Sequence, residues 1–276
     1  MADPALPPLP AAPNDAVIEF CNIVYSIGSA KVVLNQLNLV VHRGDTMVLL
    51  GRSGSGKTTA LKLINRLLVE TRGELKVEGK PAAQWDIIAL RRRIGYVIQE
   101  SGLFPHYTIA ENVGVVPRLL GHSPAQISAR IDEMLRLVDL EPRDFGPRYP
   151  HQLSGGQRQR AGVARALAGD PPILLMDEPF GALDPMSRAE LQRQFKTLQQ
   201  RLQKTIVIVT HDLREALFLG NRIALLEAGT LVGTFSKAEF IQSPDERVRK
   251  YIAAFDTAED AVPVNLPENH KTGAPA

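Results

Sequence analysis

Residues 46–58 read Thr46-Met47-Val48-Leu49-Leu50-Gly51-Arg52-Ser53-Gly54-Ser55-Gly56-Lys57-Thr58. A strand-sized apolar run enters a glycine-rich loop with the spacing G-x-x-x-x-G-K-[ST], and a helical pattern follows. The glycines let backbone N–H groups converge on phosphate oxygens, where a side chain would block the approach. The helix start adds unpaired N–H groups and a favourable dipole. Lys57 is expected to neutralise charge on the β- and γ-phosphates and stands among the catalytic candidates. The Thr58 hydroxyl is placed to ligate Mg²⁺, and Thr59 joins the binding set. A glycine-rich turn with a chance lysine is the alternative, and the flanking strand and helix speak against it.

Outward from this loop, other buried strands end in polar groups. Ile173-Leu174-Leu175-Met176 runs into Asp177-Glu178. A parallel strand delivers the residues at its carboxyl end to the ligand crevice. Asp177 is expected to hold Mg²⁺ through water, and Glu178 to orient and deprotonate the attacking water. Alone, such a dipeptide reads equally well as a solvated acidic turn; the phosphate loop shifts the balance. Thr205–Thr210 runs into His211-Asp212, where His211 could contact the γ-phosphate and hold the Glu178–water arrangement. Ile94–Ile98 runs into Gln99, a candidate Mg²⁺ ligand and γ-phosphate sensor, although a glutamine after a strand is usually a surface residue.

The rest of the chain agrees with a globular enzyme. Of 276 residues, 44% are apolar and 22% charged, enough for a core. A net charge of +2 gives no support to a nucleic-acid binder driven by bulk charge. The single Cys21 excludes an intrachain disulfide and a multi-cysteine zinc site. No segment reaches the roughly 18 apolar residues of a membrane span, and Met1–Pro13 lacks the pattern of a secretory signal, so a cytoplasmic location is expected. Strand and helix patterns alternate, with two departures. Residues 16–45 suggest several short strands in a small antiparallel sheet. Residues 103–155 hold helices and no convincing strand. The expected architecture is an α/β core with an N-terminal antiparallel β-subdomain and an inserted helical subdomain. Residues 1–15 read as a disordered or extended arm, 16–256 as the nucleotide-binding domain, and 257–276 as a disordered tail.

Leu153-Ser154-Gly155-Gly156-Gln157 opens a further helix and makes a second anion site by the same physics. Two phosphate-binding helix starts with one phosphate loop imply a head-to-tail dimer, each nucleotide lying between the loop of one chain and the Ser-Gly-Gly of the other. With Gln99, Asp177-Glu178, Gly181-Ala182-Leu183-Asp184 and His211 in order, the chain resembles the ATP-binding cassette (ABC) family over residues 16–255, with a P-loop NTPase (RecA-like) core. The resemblance implies ATP and Mg²⁺ as cofactors and Tyr25 as the aromatic that stacks on adenine. It implies that Ser154, Gly155 and Gly156, with Gln157, touch the partner's γ-phosphate, and that Asp184 links the two sites. Arg158, Arg160 and Arg165 read as structural.

A single separate cassette, with Arg148-Tyr149-Pro150-His151-Gln152 before the LSGGQ, is similar to importer subunits. Such subunits are peripheral at the cytoplasmic face of the membrane, beneath separate permease subunits served by an extracytoplasmic solute-binding protein. The stretch IGYVIQESGLFPHYTIAENVGVVPRLL (residues 94–120) and the run Glu215–Arg222 resemble quaternary-amine importers, which take up glycine betaine, choline and related osmoprotectants. Gly121-His122 departs from the tryptophan often found there. About twenty residues follow Phe255, too few for the appended sensor domains of some members, so regulation through such domains is not expected. An importer for an amino acid or a lipid, and a regulatory ABC ATPase outside transport, are the alternatives. The helical insert is also expected to be the docking surface: the apolar segment Leu103-Phe104-Pro105-His106-Tyr107 reads equally as ordinary core packing and as part of a groove for a permease helix.

Overall fold

The computed structural model describes residues 15–28, 31–99, 102–181 and 183–256. The arm over 1–15, apart from Asp15, and the tail over 257–276 lie outside the described residues. Asp15 itself is tied down: its carboxylate meets Arg43 Nε at 3.1 Å.

The chain begins with two long antiparallel strands, β1 (Ala16–Ile27) and β2 (Lys31–His42), where short strands were expected. Register shifts explain the difference. The ladder slips between Phe20 and Ile23 and again near Tyr25, and Asn22 and Gln36 take positive φ. Each bulge interrupts the two-residue alternation by which a strand is recognised. Strand β3 (Thr46–Leu50) leads into helix α1 (Lys57–Ile64). This helix ends at Ile64, where Asn65 caps it and Arg66 takes φ 52°. Then come β4 (Arg72–Val77), β5 (Lys80–Pro81), α2 (Ile87–Arg92) and β6 (Ile94–Val97).

Three helices follow: α3 (Ile109–Leu119), α4 (Pro124–Leu137) and α5 (Pro142–Phe145). Between 103 and 155 the described residues form no strand. Capping boxes start α3 at Thr108 with Glu111 and α4 at Ser123 with Gln126. Next come α6 (Gly155–Leu167), β7 (Ile173–Asp177), α7 (Pro185–Leu202), β8 (Thr205–Thr210) and α8 (Leu213–Leu219). The described chain closes with β9 (Arg222–Glu227), β10 (Thr230–Phe235), α9 (Lys237–Ile241) and α10 (Glu246–Asp256).

Two sheets result. One is antiparallel, in the order β2-β1-β4-β5. The other has the order β10-β9-β3-β8-β7-β6, parallel throughout except for β10. Side chains of its central strands alternate between two cores. Val48, Leu50, Leu174, Met176, Ile206 and Ile208 join the cluster under the helices. Met47, Leu49, Ile173, Leu175, Val207 and Val209 face the antiparallel sheet and α1. Both faces are covered, which is why these strands read as unbroken apolar runs. The α/β architecture expected above is the one observed. The order β3-β8-β7 sets three carboxyl ends side by side, and the site lies there.

Candidate functional site

The loop after β3 is shaped by close approach. A side chain at Gly51 would collide with the Leu226 carbonyl, and one at Gly56, at φ 97°, would stand 2.6 Å from Leu34 Cδ2. Lys57 is buried at 5% exposure, and its ammonium donates to the carbonyls of Gly51 (2.8 Å) and Arg52 (2.9 Å). Burial lowers its pKa, opposed by Glu178 and Asp177. The Ser55 hydroxyl is buried at 4% residue exposure with no protein partner, a donor and acceptor within the loop. A cleft of about 450 Å³ opens here, walled by Ser53, Gly54, Gly56, Lys57, Thr58 and Thr59, with Glu178 at one end. These features fit a polyphosphate.

The expected metal ligands are partly assembled. Thr58 Oγ1 donates to Asp177 Oδ1 at 2.8 Å. Asp177 is 6% exposed; burial raises its pKa, and the Thr58 bond and Lys62 oppose the shift. A hydroxyl and one carboxylate, both oxygen donors, fit a Mg²⁺ ion that takes its other ligands from water and phosphate. Among the described residues no cluster of three or more His, Cys, Asp and Glu forms a self-sufficient metal cage. Gln99 does not join this pair: it is exposed, beyond the end of β6, and does not line the cleft. Tyr96, from β6 itself, does join. Burial first, and then the Asp177 carboxylate beside it, push the pKa of the Tyr96 hydroxyl upward.

Glu178 follows β7 at φ 44°, in the left-handed region. Its amide donates to Val209 O of β8 at 3.0 Å, which pins the turn. His211 Nδ1 lies 3.3 Å from Glu178 Oε1, so the pair expected to handle the attacking water is in contact.

Other expected residues lie away from the cleft. Tyr25 is half-buried against the second core cluster, opposite Leu34. The cleft wall beside the phosphate loop is instead made by Ile27 and Val32, 58% and 57% exposed. Ser154 caps α6 and Gln157 closes the capping box, with Ser154 Oγ accepting from Gln157 N at 3.2 Å. The first-turn amides of Gly155 and Gly156 have no intrahelical partner. None of Leu153–Gln157 lines the cleft of its own chain. Asp184 caps α7 by accepting from Ser187 N at 3.1 Å, which lowers its pKa, and it stays exposed. Two of the arginines of α6 hold backbone carbonyls: Arg158 Nη1 donates to Leu153 O at 2.5 Å, and Arg165 Nη1 to Gly102 O at 2.6 Å.

The family model described as ABC transporter matches residues 34–181, more than half of the chain. The chain belongs to the ABC transporter family. The choline transport ATP-binding protein OpuBA of Bacillus subtilis is 47% identical over 84% of this ABC chain and 61% of its own length. The glycine betaine uptake system ATP-binding protein YehX of Escherichia coli is 50% identical over 78% of this chain and 70% of its own. The chain thus spans less than two thirds of OpuBA, and only 57% of the Salmonella typhimurium osmoprotectant import protein OsmV. Among solved structures, the ABC cassette MJ0796, dimeric in a post-hydrolysis state with ADP and Pi, is 34% identical. It superposes with a TM-score of 0.71, covering 80% of this chain and 98% of that one.

Three residues of this ABC site carry no spacing signal in the sequence: Tyr96 on Asp177, Tyr251 on His211, and the buried Glu215 of α8. Each depends on which elements the sheet order sets together.

Proposed function

We propose that the chain is the ATP-hydrolysing subunit of an importer, working as a head-to-tail pair beneath separate permease subunits at the cytoplasmic face of a membrane. The observation that carries hydrolysis is the meeting of three neighbouring strand ends: the loop after β3, Asp177-Glu178 after β7 and His211 after β8. Loop amides and Lys57 would bind the phosphates, with Arg52, Ser53 and Ser55 completing the loop. Thr58 and Asp177 would hold Mg²⁺, Asp177 through water, and Gln99 would reach it only after moving inward. The ion would neutralise charge on the phosphate oxygens. Glu178 would take the proton of the attacking water, and His211 would steady that carboxylate. Tyr25 would stack on adenine after turning from its packed position.

The place of Leu153–Gln157 outside the lining of the chain's own cleft supports the two-chain reading. Gly155 and Gly156 would offer their amides to the partner's nucleotide, and Asp184 would link the sites. The exposed rings of Phe104 (42%) and Tyr107 (37%), 5.4 Å apart, would form part of the groove for a cytoplasmic permease helix. Relatives whose names specify choline and glycine betaine support osmoprotectants as cargo, delivered by an extracytoplasmic solute-binding protein. Uptake of labelled glycine betaine, choline and proline, in cells with and without the complete operon, tests the cargo. Uptake of a quaternary amine that vanishes with Lys57→Ala is the expected result. Uptake of none of the three in the intact strain would overturn the cargo assignment.

A further inference from the structure

Helix α10 lies against the turn that carries His211. Tyr251 Oη donates to the His211 carbonyl oxygen at 2.9 Å. That carbonyl sits between two elements and belongs to neither ladder: β8 ends at Thr210, and the cap of α8 uses the Asp212 carbonyl for Ala216 N. Among the described residues, Tyr251 is a side chain that bonds it. The helix is firmly seated, since Val248 is fully buried and Tyr251, Ile252 and Phe255 pack on the larger core at helical spacing. On the other side of the same turn, the imidazole meets Glu178 at 3.3 Å. A cavity of about 400 Å³ joins these groups, lined by Arg52, Ser53, Glu178, His211, Tyr251 and Phe255 among others. Burial, with Asp212 beside it and Arg52 opposing, pushes the Tyr251 hydroxyl up to about 12, so it remains a donor at neutral pH.

We propose that Tyr251 is a positioning residue for hydrolysis: its hydroxyl fixes the His211 carbonyl, and so the turn, in the orientation that sets the imidazole against Glu178. Through this one hydroxyl α10 reaches the chemical step, and Tyr251 stands outside the phosphate loop and the Thr58–Asp177 pair. The inference rests on the reading of Glu178 and His211 as the hydrolytic pair, and the experiment separates the two.

Hydrolysis by the full chain is measured for Tyr251→Phe, His211→Ala, the double variant and Ile252→Ala, with affinity for a non-hydrolysable ATP analogue measured alongside. Tyr251→Phe keeps the ring and removes only the hydroxyl. It is expected to lower kcat about threefold to tenfold, the worth of one hydrogen bond. KM and analogue affinity should stay within about twofold, because the phosphate loop is untouched. In the His211→Ala background the same change should have no further effect. Ile252→Ala should lower Tm and leave kcat unchanged. An undiminished kcat for Tyr251→Phe, an equal loss in the His211→Ala background, or an equal loss in Ile252→Ala would each overturn the proposal. Full hydrolysis by His211→Ala alone would instead overturn the hydrolytic pair itself.

Discussion

Two carboxylates at the site differ in their surroundings and in what their replacement should do. Glu178 holds its position by a left-handed backbone turn and a contact with His211. Glu178→Gln keeps the shape and removes the base. Turnover should fall about 10²- to 10⁴-fold, as for loss of a general base. ATP should then hold two chains together, visible as a dimer in size-exclusion chromatography. Retention of most hydrolysis would refute the role. Glu215, 6% exposed, has an oxygen without a partner and a pKa raised to about 8, by burial first and by Asp212 next. A carboxyl whose folded pKa lies above its unfolded value binds more protons folded than unfolded. It therefore costs nothing below about pH 4.5, and destabilises increasingly as pH rises from there to about 8. Glu215→Gln should flatten that dependence. Its Tm should exceed the parent's by a few degrees at pH 8 and approach it at pH 5. A Tm difference independent of pH would show that the carboxyl is not carrying a burial penalty.

Single elements show which signals survive in a sequence and which do not. The central strands were legible because a doubly covered parallel strand is a continuous apolar run. The phosphate loop was legible because its glycines answer to steric limits at fixed spacing. Helix α3 was harder: Gly114 and Pro117 lie inside it and read as breakers, although its capping box was in plain view. Helix α10 carries an apolar stripe at Val248, Tyr251, Ile252 and Phe255 that the expected elements did not include. Tyr96 and Tyr251 were not legible as site residues, because only the sheet order and the docking of α10 bring them to Asp177 and His211. Within α3, fully buried Asn112 accepts from Phe104 N at 2.7 Å and donates to the carbonyls of Phe104, Tyr107 and Thr108. It pins the aromatic loop ahead of the helix. Asn112→Ala strands these buried groups and should cost about 2–4 kcal/mol in chemical denaturation. A loss under about 0.5 kcal/mol would mean the loop holds itself.

At the scale of the whole molecule, the proposed head-to-tail pairing would have each chain supply half of each of two sites. The cleft lies over the carboxyl ends of β3 and β7, and none of Leu153–Gln157, at the start of α6, lines it. This arrangement predicts complementation. Lys57→Ala disables the loop. Gly156→Asp sets a carboxylate where the partner's phosphate would lie, in a position where an added Cβ meets nothing within 4 Å. Neither variant should hydrolyse ATP alone. Mixed, they should recover a measurable rate, because one composite site in each mixed pair is intact. No recovery on mixing, with both variants folded, would refute the shared site.

The separation of Ser154–Gly156 from the chain's own cleft also bears on how activity would depend on concentration. Under the proposed pairing, a chain alone in solution would hold its own loop but lack the other half of its site, so its rate would rise with the square of its concentration while pairs are scarce. Two copies held beneath one permease meet at the far higher local concentration of a tethered pair. Unassembled copies then leave the cellular ATP pool almost untouched, and hydrolysis begins where the partner proteins have gathered the halves.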